Sequence, residues 1–135
     1  MPANQLTTVV IFGCDGNLAT LKLIPTLFSL WRGRGLLPRD VLIIGYARPV
    51  GAGGKIGGGT TGFREWVCRS IRDASKGGLG EDGEEEARLF AAACHFQAGR
   101  FGEPEAHAEL LQMMQQLEQR RLAARRDEEG AAAED

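Results

Sequence analysis

Residues Thr7–Ala19, TTVVIFGCDGNLA, decide how this chain folds. A run of β-branched and apolar residues from Thr7 to Phe12 ends at Gly13, the pattern of a strand buried on both faces of a parallel sheet. From Leu18 the apolar residues change period. Leu18, Leu21, Ile24, Leu27, Phe28, Leu30 and Trp31 recur at threes and fours, which predicts a helix with one broad buried stripe. The glycine-rich turn between them, Gly13 to Ala19, leaves a strand and opens a helix, the context a dinucleotide fingerprint requires. Gly13 can take the sharp turn, Gly16 lets backbone approach a pyrophosphate, and Ala19 permits close packing of helix on strand. The first-turn N–H groups of such a helix lack partners within it and can bind phosphate. A plain strand-turn-helix connection would use the same letters, so the turn needs support from elsewhere.

That support comes from the next strand. Pro25 removes a helix hydrogen bond, which predicts either a kink near Ile24 or a second helix with Pro25 in its first turn. Gly33 and Gly35 end the helix, Pro38 prevents its resumption, and Val41–Ile44 (VLII) before Gly45 reads as a buried strand. A strand-helix-strand unit of this kind makes the two strands parallel with a right-handed crossover. In NAD-binding folds an acid near the end of this strand takes the ribose hydroxyls. Here the strand ends Gly45-Tyr46-Ala47-Arg48 with no acid. Arg48 is placed for a ribose 2′-phosphate, so NADP is the expected coenzyme, against the plainer reading of a surface arginine.

Further along, Gly51–Gly62 is low in complexity and reads as an inserted surface loop too flexible for a conformation to be assigned. Its Gly54-Lys55 pair does not make a nucleotide-triphosphate loop, because Ile56 stands where Ser or Thr is required. Phe63–Ile71 and Glu84–Ala93 read as helices separated by a break at Lys76–Gly83, and Cys94–Ala98 as a third strand. Glu105–Leu122 keeps helical spacing through Leu110, Leu111, Met114, Leu117 and Leu122. The division expected is one α/β domain over residues 1–122 and a disordered charged tail over 123–135.

Composition sets the limits. The chain has 135 residues, 43% hydrophobic and 25% charged, enough for one globular domain. A formal net charge of −2 gives no global field for nucleic acid or an anionic membrane. The basic run Arg120–Arg126 is followed at once by acids, so it reads as a solvated helix end rather than a nucleic-acid arm. Cys14, Cys68 and Cys94 are odd in number and widely spaced, which argues against a disulfide framework or a metal site and for a reducing, cytoplasmic setting. The short stretch before Thr7 gives the expectation of no signal or transit peptide, and no run is apolar enough to span a membrane.

Residues 9–48, VVIFGCDGNLATLKLIPTLFSLWRGRGLLPRDVLIIGYAR, resemble the amino-terminal segment of glucose-6-phosphate dehydrogenases, whose pattern runs close to FGASGDLAxxKxxPxLxxLxxxGLLPxxxxIxGYAR. Pro25, the Gly35-Leu36-Leu37-Pro38 turn and the Gly45-Tyr46-Ala47-Arg48 strand end share its spacing. A weaker likeness continues through Phe63-Arg64-Glu65 and Phe96–Phe101, covering residues 8–118 in all. The resemblance implies the first half of a doubly wound, Rossmann-like NADP-binding domain. The activity it implies is oxidation of glucose 6-phosphate to its lactone at the entry to the pentose phosphate pathway. It also implies a coenzyme loop of Gly13, Cys14, Asp15, Gly16, Asn17, Leu18, Ala19 and Thr20, with Arg48 on the 2′-phosphate. A full-length form would take glucose 6-phosphate and could assemble as a homo-oligomer.

The departures are specific. The family's Ala-Ser-Gly-Asp is here Cys14-Asp15-Gly16-Asn17, so a carboxylate stands beside the expected phosphate site, where like charges repel. The family's Glu-Lys-Pro-Phe-Gly and Arg-Ile-Asp-His-Tyr-Leu-Gly-Lys segments, which carry sugar binding and proton abstraction, do not occur. His95 and His107 read as structural or exposed. The chain alone is therefore expected to be inactive, either as the coenzyme-binding portion of a dehydrogenase or as a nonenzymatic coenzyme- or partner-binding remnant. Its sheet is expected to have one bare edge.

Overall fold

The computed structural model describes residues 6–33 and 36–134. Gly35, expected to help end the first helix, lies outside the described residues. Among the described residues three parallel strands form one sheet in the order β1-β2-β3: β1 Thr7–Phe12, β2 Val41–Ala47 and β3 Cys94–Ala98. Thr7 pairs with Val41 through to Phe12 with Tyr46, and Ile43 with Cys94 through to Ala47 with Ala98. Helices α1 (Ile24–Arg32), α2 (Gly59–Ala74) and α3 (Gly80–Ala92) cover one face, and α4 (Pro104–Glu134) covers the other. The architecture is α/β and Rossmann-like.

This order changes the expectation for β1. All seven residues of β2 are buried, because it is the central strand with helices on both faces. In β1 only Ile11 is fully buried, because the strand stands at the sheet's edge. The doubly buried strand is thus the second one, where VLIIGYA is near-continuously apolar for that reason. One core joins Val9, Ile11, Val41 and Ile43 to Phe28 and Trp31 of α1, Phe63 and Val67 of α2, and Phe90 of α3. The smaller core on the opposite face joins Val10, Ile44 and Tyr46 to Ala106, Leu110, Met114 and Leu117 of α4.

Pro25 leaves no break. A π-helical turn over Ala19–Leu23 runs into α1, with Pro25 in the first turn of that helix. The Ile24 N–H reaches back five residues to the Ala19 carbonyl. By the same pattern the Thr20 carbonyl falls to Pro25, which has no N–H to offer. The buried Ser70 hydroxyl of α2 donates to that carbonyl instead, and the Trp66 indole N–H donates to the Thr20 hydroxyl at 3.2 Å. A helix-breaking residue is thereby absorbed by the helix packed against it.

Two other stretches differ from expectation. The glycine-rich segment takes a definite path: a 3-10 turn over Val50–Ala52, an N–H to C=O bond from Gly54 to Pro49 of 3.0 Å, and Ile56 buried in the main core. Burying Ile56 is what holds the loop down, and α2 begins at Gly59, inside the supposed insertion. Where the sequence suggests a disordered tail from residue 123, α4 continues through Glu134. Arg121 and Arg125, one helical turn apart, both bond the Asp40 carboxylate ahead of β2. Burial raises the Asp40 carboxyl, but the hydrogen bonds from the two guanidiniums outweigh it and hold it below the usual carboxylate range. Among the described residues no helix is long and apolar enough to cross a membrane.

Replacing Ser70 with Ala leaves the Thr20 carbonyl without that donor in a part-buried setting, at a cost of about 1 kcal/mol. Urea unfolding of S70A should show a lower midpoint with an unchanged slope. Among the described residues no strand pairs with the outer edge of β1, which presents its backbone groups to any neighbour. Size-exclusion chromatography of the 135-residue chain should accordingly show association that grows with concentration, and a clean monomer throughout would count against this.

Candidate functional site

The turn after β1 is fastened to the tip of β2. The Gly13 and Cys14 N–H groups both donate to the Tyr46 carbonyl, at 2.8 and 3.3 Å. Gly13 has φ +71°, a left-handed conformation that suits a residue without a Cβ. The Gly16 N–H returns to the Gly13 carbonyl at 2.9 Å, and the Thr20 N–H to the Gly16 carbonyl at 2.9 Å opens the helical ladder. A ladder that begins there leaves the amides of Asn17, Leu18 and Ala19 with no acceptor inside the helix. Asn17 and Leu18 are exposed, while Ala19 is buried against the core. The outcome is a turn with a helix's positive end at its mouth.

Cys14 and Asp15 have separate roles within this turn. The Cys14 side chain is fully buried, and its thiol is pushed up to about 12, first by burial and then by the neighbouring Asp15 charge. A thiol so protonated at neutral pH is a compact filler and a poor nucleophile. Its sulfur and the Phe63 ring lie over Gly45, where a Cβ would come within 2.8 Å of the sulfur and 2.5 Å of the ring. Gly45 therefore lets α2 and the turn close onto β2. The Asp15 carboxylate accepts the Lys55 backbone N–H at 2.9 Å. This bond ties the glycine-rich loop to the turn and directs one carboxylate oxygen at the loop.

Arg48 follows β2 directly and is exposed. With Ala52, Arg100, Phe101 and Glu103 it lines an open cavity of about 410 Å³ at the tips of β2 and β3. The turn and Arg48 thus lie at the same end of the sheet, joined through Tyr46. Phe12, 58% exposed, and Phe101, 44% exposed, stand at this end with ring centroids 6.4 Å apart, each packed edge-on against Tyr46. Among the described residues no cluster of His, Cys, Asp and Glu is placed to hold a metal ion.

A protein-family model described as glucose-6-phosphate dehydrogenase, NAD binding domain, matches residues 10–128. The chain belongs to that family. Its curated relatives include the glucose-6-phosphate 1-dehydrogenases of Dictyostelium discoideum, 33% identical over 79% of this chain, and Schizosaccharomyces pombe, 32% identical over 72%. Those matches cover 18% and 17% of the relatives, so the chain spans about a fifth of their length. A solved glucose-6-phosphate dehydrogenase in complex with its substrate glucose-6-phosphate aligns at 29% identity with a TM-score of 0.67, over 84% of this chain and 21% of that one. A Mycobacterium avium glucose-6-phosphate 1-dehydrogenase shares the fold, with a TM-score of 0.60 at 20% identity.

Within this glucose-6-phosphate dehydrogenase domain the candidate loop Gly13–Thr20 and Arg48 converge on one end of the sheet. The two histidines do not join them at the turn. His95 lies half-buried in β3, where burial and then the Arg64 charge push its imidazole below the ordinary value. His107 sits on α4 with its ring 6.2 Å from that of Tyr46. Sequence reading missed the Arg100 side of the cavity and the Asp15–Lys55 tie. Arg100 lies two residues past β3, so the matched ends of β2 and β3 were the available signal. The Lys55 contact is made by backbone, and no side-chain pattern encodes it.

Proposed function

We propose that this chain binds NADP, as the coenzyme-binding portion of a glucose-6-phosphate 1-dehydrogenase-like oxidoreductase. The observation that carries the reading is the shared carbonyl of Tyr46, which joins the glycine turn to the strand that ends in Arg48. A coenzyme diphosphate would lie at the turn, against the exposed amides of Asn17 and Leu18, and the ribose 2′-phosphate would lie on Arg48. When bound, NADP supplies a nicotinamide ring that accepts hydride. The residues named here bind and orient it, and none of them is assigned to proton abstraction. The sugar substrate, glucose 6-phosphate, belongs by this reading to the full-length form. Three free thiols suit a cytoplasmic setting.

The alternative, a remnant that binds coenzyme weakly or binds a partner instead, is favoured by Asp15, an acid two residues before the first of the amides that would take phosphate. Calorimetric titration separates the two. The unmutated chain should prefer NADP over NAD, and Arg48→Ala should abolish the preference. Loss of one charge-assisted hydrogen bond costs about 1.5–3 kcal/mol, or roughly ten- to a hundredfold in affinity. Equal binding of both coenzymes by the unmutated chain would remove the role given to Arg48.

Asp15→Asn keeps an acceptor for the Lys55 N–H while removing the charge. Relief of one like-charge contact in water, about 1 kcal/mol, should tighten both coenzymes roughly fivefold in the same titration. An unchanged or weaker affinity would mean that the carboxylate is no obstacle.

A further inference from the structure

We infer that Arg100 is a second cation of the 2′-phosphate subsite, gripping together with Arg48 the group that distinguishes NADP from NAD. This rests on the coenzyme reading above and names a specificity residue within it. Strands β2 and β3 end level, Ala47 opposite Ala98. The ladder then continues one step, the Gly99 N–H donating to the Ala47 carbonyl at 2.9 Å. Gly99 has no room for a side chain, since a Cβ there would run into the Tyr46 hydroxyl. That hydroxyl donates to the Arg100 carbonyl at 3.3 Å, and the Glu103 N–H donates to the same carbonyl at 3.4 Å. The backbone of Arg100 is therefore held from two sides, and its exposed side chain lines the same cavity as Arg48.

Two guanidiniums sharing one cavity repel unless an anion lies between them. Glu103 also lines the cavity, but no ion pair is recorded for either arginine among the described residues, whereas Arg39, Arg72 and Arg88 each bond a glutamate. A phosphomonoester dianion fits this arrangement better than a carboxylate: it offers three terminal oxygens to two planar, multi-donor forks arriving from adjacent strand tips. The cavity volume, about 410 Å³, lies within the range of roughly 300–1,000 Å³ typical of small-molecule sites. Inorganic phosphate offers the same chemistry as the coenzyme's 2′-phosphate, so the test contains both.

The test is isothermal titration of the full 135-residue chain and its variants with NADP, NAD and inorganic phosphate, with circular dichroism confirming that each variant is folded. Arg100→Ala should weaken NADP about tenfold and leave NAD unchanged. Arg100→Lys should recover part of the loss, and the Arg48→Ala, Arg100→Ala double variant should bind the two coenzymes alike. Inorganic phosphate should compete with NADP more strongly than with NAD. If Arg48→Ala abolishes NADP preference while Arg100→Ala leaves NADP affinity intact, the coenzyme reading stands and the role of Arg100 fails. Equal weakening of NADP and NAD by Arg100→Ala also overturns it. No discrimination between the coenzymes by the unmutated chain overturns both.

Discussion

The Tyr46 carbonyl is the point on which the site depends. A main-chain oxygen near the end of the central strand accepts hydrogen bonds from two successive amides, Gly13 and Cys14, as the neighbouring strand ends. Its bonds hold the turn at the level of the β2 tip, so that the opening of the helix and the residue after β2 occupy the same end of the sheet. Two close approaches reinforce the arrangement. Gly45 leaves space for the Cys14 sulfur and the Phe63 ring, and the Tyr46 hydroxyl reaches past Gly99 to the Arg100 carbonyl. One strand residue thus organises segments from all three strand ends through backbone and side chain together.

A second constraint acts behind the turn. The first helix must carry Pro25, and a proline away from the first turn of a regular helix leaves a carbonyl unsatisfied and crowds its ring against the preceding turn. Widening the helix over Ala19–Leu23 relieves the crowding and transfers the deficit to Thr20, which α2 then satisfies through Ser70. The position of α2 consequently bears on the glycine turn, although no residue of α2 belongs to that turn. The glycine-rich loop leading into α2 is held at two points, by Ile56 in the core and by the Lys55 amide on Asp15.

The strands and most of the helices were legible because their signals are local. TTVVIF and VLII are too apolar and β-branched to be loops, and the stripe from Leu18 to Trp31 has a helical period that a strand cannot use. Glycine abundance misled over residues 51–62, since low complexity predicts mobility only where nothing is buried, and Ile56, the one large apolar residue there, is buried. Similar reasoning applies to the charged stretch after Leu122. Arg121 and Arg125 look like solvent residues in sequence, but the chain brings Asp40 beside them. β1 was read as doubly covered because its composition matches that of a central strand, while strand order places it at the edge.

The sequence by itself determined the elements, the parallel strand-helix-strand unit, the glycine turn with its missing acid on β2, and the family pattern that joins them. Each depends on side-chain size, period or backbone freedom within a few residues. Only the tertiary structure decided that β2 is central, that Arg100 stands with Arg48, and that Asp15 is occupied by a backbone amide. Those relations join residues far apart in the chain, and they rest on main-chain hydrogen bonds and strand order, which leave no fixed spacing in the letters.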